Sequence, residues 1–252
     1  ARRFAGVGGG YVGLEVAAVL TALGKQVVLV EALDRVLAGV AGPDISHFYE
    51  AEHRARGVDI RLAETVERIE GDGRAGALRL ASGERIEADL VLVGIGIAPA
   101  VAPLIEAGAA GNDDVNVDAC CRTSLPGIFA VGDCAAHENI FADGRRLRLE
   151  SVQNAHDQAT AAVKAILGTP EPYETIPWFW SNQYDLRLQT VGLSVGYDET
   201  IVRGRPEERS FSLIYLRQGR VVALDCVNAT KDYVQGRKMI LDGLTPAPDR
   251  LA

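Results

Sequence analysis

The stretch Phe4-Ala5-Gly6-Val7-Gly8-Gly9-Gly10-Tyr11-Val12-Gly13-Leu14-Glu15 decides the fold. Phe4–Val7 is a short apolar run that three glycines end, the pattern of a strand passing into a tight turn. From Tyr11 to Gly24, apolar residues recur at Val12, Val16, Val19, Leu20 and Leu23, which is helical spacing, and Gly24 stops the helix. Val27–Val30 is a second apolar, largely β-branched run, closed by Glu31. Strand, helix and strand in this order imply a parallel pair. Gly8, Gly10 and Gly13 have the spacing G-x-G-x-x-G. In that pattern the first glycine makes the turn, the second lets backbone approach a pyrophosphate, and the third lets helix pack on strand. The helix N-terminus adds unpaired N–H groups and the positive end of its dipole.

Glu31 stands 23 residues after Gly8, at the end of the second strand. A carboxylate there accepts hydrogen bonds from both hydroxyls of an adenosine ribose and repels a 2′-phosphate, which favours NADH over NADPH. Arg35 is the one nearby base that would work against this preference, and it counts among the candidate nucleotide contacts.

Further along, Asp44 to Arg56 reads as a second helix, with Pro43 ahead of it and Gly57 behind. A meander follows, with strands at Thr65–Ile69, Ala77–Leu80 and Glu84–Ile86 separated by the turns Asp72-Gly73 and Ser82-Gly83. Asp89–Val93 is a core strand that runs into Gly94-Ile95-Gly96-Ile97-Ala98-Pro99. Glycines at the carboxyl end of a parallel strand let a nucleotide lie against bare backbone, although alone they are equally a simple turn. Ile128–Val131 reads as another strand, ended by Gly132-Asp133. The glycine there removes a side chain beside a ligand, and the Asp offers a carboxylate to sugar or polyol hydroxyls. Ser151 to Leu167 reads as a long helix, capped by Ser151 and stopped by Gly168.

The run Thr169-Pro170-Glu171-Pro172 marks a boundary. Beyond it, strands are expected near Gln189–Gly192, Thr200–Arg203, Ser210–Leu216 and Arg220–Cys226, with Gln218-Gly219 joining the last two, then a helix over Tyr233–Leu241.

Composition narrows the function classes. A formal charge of −8 argues against a nucleic-acid partner, because phosphate binding needs a positive surface. No apolar run approaches membrane-spanning length. Four cysteines, Cys120, Cys121, Cys134 and Cys226, form no C-x-x-C pair and fit a reduced, cytoplasmic setting. His47, His53, His137 and His156 have no metal-ligand spacing with them, so no metal site is expected. The chain opens without Met on the edge of a strand, which suggests a fragment of a longer protein.

Taken together, GGGYVGLE (8–15), GIGIAP (94–99), TSLPGIFAVGDCA (123–135), ESVQNAHDQA (150–159) and PWFWSNQYDLRLQTVGLS (177–194) resemble the ferredoxin-reductase family. These are FAD-dependent NADH reductases that serve ferredoxins and rubredoxins, including reductase components of oxygenases. The resemblance covers nearly the whole chain, in the family's order. It implies an α/β architecture: a Rossmann-like NAD-binding domain over 1–97, the C-terminal part of an FAD-binding domain over 98–168, and a small α+β reductase C-terminal domain over 169–252. The family's first glycine motif, which holds the ADP half of FAD, is expected before Ala1.

By the same resemblance, Gly8, Gly10, Gly13 and Glu31 hold NADH, and Glu15 contacts the nicotinamide amide near the flavin. Tyr11 and Val12 belong to the same contact, with Tyr11 covering the nicotinamide pocket or simply packing. Gly94, Ile95 and Gly96 line the nucleotide path. Gly132 and Asp133 take the ribityl chain of FAD. Glu150 and the backbone at Ser151, Val152 and Gln153 face the pyrimidine end of the flavin, where a helix N-terminus stabilises the negative charge of the reduced ring. Trp180 is the first choice for a contact with the isoalloxazine and Trp178 the second; the alternative is a plain core tryptophan. Two positions depart from the family pattern, which usually has Asp at Asn182 and Asn at His156. The implied reaction carries hydride from NADH to FAD and then single electrons to an iron–sulfur acceptor, a ferredoxin or a rubredoxin, and it needs no general base. The rival readings are a flavin disulfide or peroxide reductase of the same superfamily and a non-catalytic NADH-binding module.

Overall fold

The computed structural model describes residues 1–251. Its first part alternates strand and helix: β1 (Arg3–Val7), α1 (Tyr11–Ala22), β2 (Gln26–Val30), α2 (Pro43–Ala55) and β3 (Asp59–Arg61). The meander β4 (Val66–Glu70), β5 (Ala77–Leu80) and β6 (Arg85–Glu87) follows, and β7 (Leu90–Val93) returns to the first sheet. That sheet is parallel, in the order β3-β2-β1-β7, and the meander is a separate antiparallel sheet. The expected strand–helix–strand opening is therefore present, with Phe4 opposite Val27 on one side and Leu90 on the other. Ala5 and Val30 pack against Leu78, Leu80 and Ile86 of the meander.

The middle of the chain holds a short helix α3 (Ala102–Glu106), β8 (Val115–Asn116), β9 (Ala135–Asn139), β10 (Arg145–Arg148) and the long α4 (Val152–Ile166). The Ser151 hydroxyl caps α4 by accepting the Asn154 N–H at 3.1 Å, as expected. Ile128–Val131 is not a strand. It pairs with the chain before it at one bridge, Arg122 to Phe129, held by Thr123 N–H to Ile128 O and Ala130 N–H to Cys121 O. The turn at Leu125-Pro126-Gly127 takes up the rest of that hairpin, and Pro126 has no N–H to extend it. The hairpin β9–β10 was not expected, because Ala-Ala-His-Glu-Asn and Arg-Arg-Leu-Arg lack the β-branched and aromatic residues that mark strands.

The last part is a five-stranded antiparallel sheet. Its strands are β11 (Trp178–Gln183), β12 (Leu186–Gly192), β13 (Glu199–Arg205), β14 (Ser210–Arg217) and β15 (Arg220–Val227), in the order β11-β12-β15-β14-β13. Gln218 and Gly219 both have positive φ, 51° and 75°, as a tight hairpin between β14 and β15 requires. α5 (Thr230–Leu241) covers one face of the sheet, where Gly236 lets it approach Leu224. The other face joins the first part: Leu186, Leu188, Phe211, Leu213 and Tyr215 share one core with Leu14 of α1, Leu29 of β2, and Ile45 and Tyr49 of α2. This common core lays β11 against α1, and the candidate site is built along that line.

Candidate nucleotide site

At the glycine turn the backbone is crowded at two positions and open at a third. Gly8 has φ +101°, and a Cβ there would stand 2.3 Å from the carbonyl oxygen of Gly94. A Cβ on Gly13 would stand 2.0 Å from the oxygen of Gly8, so this glycine alone lets α1 pack on the turn. Gly10, the N-cap of α1, has nothing within 4 Å of its would-be Cβ. Packing therefore does not require glycine at position 10, whereas a ligand lying on the backbone does. α1 has no side-chain cap and no acidic residue in its first turn, so its first N–H groups are left for a ligand, with Glu31 held just ahead of the cap.

Glu31 stands beside this turn. Its Oε2 accepts the Gly9 N–H and its Oε1 accepts the Leu33 N–H at 2.8 Å. Arg35 is tied to the segment that follows it. Its guanidinium donates to Ala38 O at 3.0 Å, to Ala41 O at 2.9 Å and to the Ser46 hydroxyl, closing the loop before α2.

Beyond β7, Gly94 donates its N–H to Val7 O at 2.8 Å and lies against the first turn of α1, near Val12 and Gly13. Ile95 is 74 % exposed, and Gly96 has φ +98° with open space around it. From there a cleft of about 550 Å³ runs between Ile97, Pro99, Val101 and Ile105 on one side and Arg148 on the other. Arg148 donates to Asp133 O at 2.8 Å and pairs with Glu150 at 2.7 Å. The cleft thus begins at Ile97, just past the glycine strip, and its Arg148 reaches the Asp133 backbone.

That turn is a single 3-10 turn over Gly132–Cys134, set against α4. Gly132 has φ +76°, its would-be Cβ meets Ala155 at 3.2 Å, and its N–H is donated to the Gln158 side chain at 2.7 Å. Asp133 is exposed. The N-terminus of α4 carries no acidic residue in its first turn, and Val152 there is 71 % exposed. Glu150, just ahead of the cap, is paired with Arg148, so an exposed carboxylate beside this helix end suits a ligand with hydroxyls at one place and negative charge at another.

β11 connects the two places. Its alternate residues face opposite sides. On one side, the Phe179 ring lies 4.6 Å from the Tyr11 ring, and the Ser181 hydroxyl donates to Glu15 Oε1 at 2.6 Å. On the other, Trp178 and Trp180 stand together with ring centroids 5.4 Å apart. The Trp178 N–H is donated to Gln153 in the first turn of α4 at 3.3 Å. Trp178 is partly sunk into the C-terminal core, while Trp180 is 37 % exposed. One strand therefore touches both the dinucleotide helix and the Asp133 side.

Sequence reasoning missed Ser181, Arg148 and Gln158. Ser181 meets Glu15 166 positions away, Gln158 meets Gly132 26 away and Arg148 meets Asp133 15 away, and a lone serine between aromatics carries no local signal. Of the two departures from the family pattern, Asn182 is exposed on β11 opposite Arg187, and His156 is exposed on α4.

The family model described as pyridine nucleotide-disulphide oxidoreductase matches residues 1–159, and the model described as Reductase C-terminal matches 178–252. The ferredoxin reductase subunit of 5,5'-dehydrodivanillate O-demethylase from Sphingobium sp. (strain NBRC 103272 / SYK-6) is 66 % identical over 100 % of this chain and 62 % of its own length. The crystal structure of the ferredoxin reductase for the CYP199A2 system of Rhodopseudomonas palustris superposes with TM-score 0.94 at 38 % identity, covering 100 % of this chain and 62 % of that one. The reductase in the covalent putidaredoxin reductase–putidaredoxin complex gives TM-score 0.94 at 40 % identity, covering 99 % and 60 %. The chain spans about three fifths of the length of the relatives it matches. The resemblance read from the motifs is borne out: ferredoxin reductases stand among the relatives, and the chain belongs to the pyridine nucleotide-disulphide oxidoreductase family.

Proposed function

We propose that this chain is the nicotinamide-binding and C-terminal part of an NADH-dependent flavoprotein reductase that passes electrons through FAD to a ferredoxin- or rubredoxin-type iron–sulfur protein. Residues 1–97 form the NAD-binding domain, 98–168 belong to the FAD-binding domain and 169–252 form the reductase C-terminal domain. The observation that carries this reading is the position of β11, which meets Tyr11 and Glu15 through Phe179 and Ser181 and meets α4 through the Trp178 backbone N–H.

In this reading Gly8, Gly10 and Gly13 seat the pyrophosphate of NADH at the start of α1. Glu31 meets the adenosine ribose, and the Arg35 guanidinium is held in place by the carbonyls of its own loop. Glu15 and Tyr11 orient the nicotinamide. Asp133 takes the ribityl hydroxyls, the α4 N-terminus at Glu150–Val152 faces the pyrimidine edge of the flavin, and Trp180 lies on the ring with Trp178 behind it. When bound, FAD converts the two-electron hydride of NADH into single electrons for the acceptor. The protein contributes position, exclusion of water and fixed dipoles.

The C-terminal match and the named reductases favour this reading over a disulfide reductase. Burial pushes the Cys121 and Cys226 thiols up to about 12, and all four cysteines are unpaired. Unpaired thiols also fit a reaction in the cytoplasm, and no described helix is long and apolar enough to cross a membrane. The test is anaerobic addition of NADH to the purified flavoprotein. Bleaching of the flavin absorbance, reversed by an iron–sulfur acceptor, supports the proposal. A colourless protein that still binds NADH supports a binding module instead.

A further inference from the structure

A directed hydrogen-bond chain runs from the surface of the C-terminal sheet to Glu15. The Gln183 Nε2–H is donated to the Ser181 Oγ at 3.2 Å, and the Ser181 hydroxyl is donated to Glu15 Oε1 at 2.6 Å. Because the Gln183 amide nitrogen points at Ser181, its oxygen is the acceptor for His53 Nε2 at 2.8 Å. His53 is buried, and burial lowers its pKa, so the ring is neutral and carries one proton. That proton sits on Nε2. His53 Nδ1 is then an acceptor, and the Tyr184 hydroxyl donates to it at 2.9 Å. Every bond points the same way, from Tyr184 through His53, Gln183 and Ser181 to the carboxylate.

The links are rigid. Ser181, Gln183 and His53 are all fully buried. Tyr184 is held in left-handed backbone at φ 58°, its ring against His53 and beneath the Arg56 guanidinium at 4.3 Å. Such a conformation is uncommon for a bulky residue and persists only where the surroundings fix it. No other hydrogen bond to Glu15 forms among the described residues, so the chain engages Oε1 and leaves Oε2 for a ligand.

We propose that Ser181, backed by Gln183, His53 and Tyr184, is a positioning residue. It aims the Glu15 carboxylate at the nicotinamide carboxamide, which makes the C-terminal sheet a working part of the nicotinamide site. This rests on the reading of Glu15 as a nicotinamide contact.

The test compares NADH with ADP-ribose, which has the same adenosine and pyrophosphate but no nicotinamide. Dissociation constants are measured by calorimetry on the whole chain as wild type, S181A, E15A and the double variant S181A/E15A. S181A is expected to weaken NADH about fivefold while leaving ADP-ribose unchanged. In the E15A background the same substitution is expected to add nothing. S181C keeps the volume and a weak donor, so it gives a smaller loss and serves in place of S181A should that variant not fold. Equal weakening of NADH and ADP-ribose by S181A, or an undiminished effect on top of E15A, overturns the proposal. If E15A lowers NADH affinity selectively and neither Ser181 variant does, only the positioning role fails. If E15A leaves the ratio of the two ligands unchanged, the nicotinamide reading of Glu15 fails and the positioning role goes with it.

Discussion

Gly10 and Gly13 lie three residues apart, yet the structure assigns them different burdens, and alanine at each separates folding from binding. At Gly13 the added methyl would sit 2.0 Å from a backbone oxygen that is itself fixed by β1 and β7, so the helix must retreat from the turn. Forced overpacking of this kind costs about 3 kcal/mol or more. At Gly10 the methyl meets nothing, and φ −76°, ψ −174° is a conformation that alanine adopts freely. There the lost capping preference, about 1 kcal/mol, is offset by the smaller entropy of the unfolded chain, so stability changes little. Binding reverses the order. A methyl at Gly10 occupies the place where a pyrophosphate must approach the backbone. Losing two charge-assisted hydrogen bonds at about 1.5 kcal/mol each weakens the dinucleotide by about a hundredfold. The assay pairs urea denaturation with titration of ADP-ribose. Gly10→Ala should unfold like wild type and fail to bind, and Gly13→Ala should unfold early. Wild-type affinity in Gly10→Ala would refute the argument that this glycine is kept open for a ligand.

Three other outcomes follow from the same structure. Glu31→Ala should narrow the preference for NADH over NADPH by about tenfold, since one carboxylate near a 2′-phosphate accounts for about 1.4 kcal/mol; an unchanged affinity ratio defeats it. Asp133→Ala should lower FAD affinity in the flavoprotein, read as flavin lost on gel filtration, with NADH affinity unaffected. Asp225 is buried, hydrogen-bonded by Tyr215 at 2.6 Å, and burial pushes its carboxyl from 3.8 to about 6. The native state therefore holds this proton more tightly than the unfolded chain, and the associated stability is present below 3.8 and lost as pH rises through about 6. Asp225→Asn removes that dependence. Its stability relative to wild type should climb by about 3 kcal/mol between low and mildly alkaline pH, and parallel curves in denaturation melts would contradict the burial argument. His53 and His137, both lowered by burial, act with the opposite sign in both proteins and cancel in the comparison.

Much of the fold was legible because its signals are local. The glycine turn, α1 and β2 lie within the first thirty residues, and each has its own periodicity or stop. Elements with weak local marks were harder. β9 and β10 are written in alanine and arginine, and the turn between β11 and β12 is Tyr184-Asp185, which no common hairpin signal covers. Ile128–Val131 erred in the other direction, since apolar content alone does not supply a strand partner. For the site, the glycines and Glu31 could be read from spacing, and Asp133 and the tryptophans only through family resemblance. The contact of Ser181 with Glu15 joins residues 166 positions apart. It exists because one core binds the C-terminal sheet to α1 and α2, a fact of tertiary packing that leaves no local trace. The hold on Arg35 was equally illegible: its partners are the carbonyls of its own loop, which a charge count does not register.

The central claim is that two nucleotides meet along β11. A crystal structure of the protein with FAD and NAD+ bound tests it most directly. The account predicts the nicotinamide C4 within about 4 Å of the flavin N5, with the carboxamide on Glu15 and the flavin ring against Trp180. A nicotinamide C4 too far from the flavin N5 for hydride transfer, or a flavin ring seated away from Trp180, would contradict it.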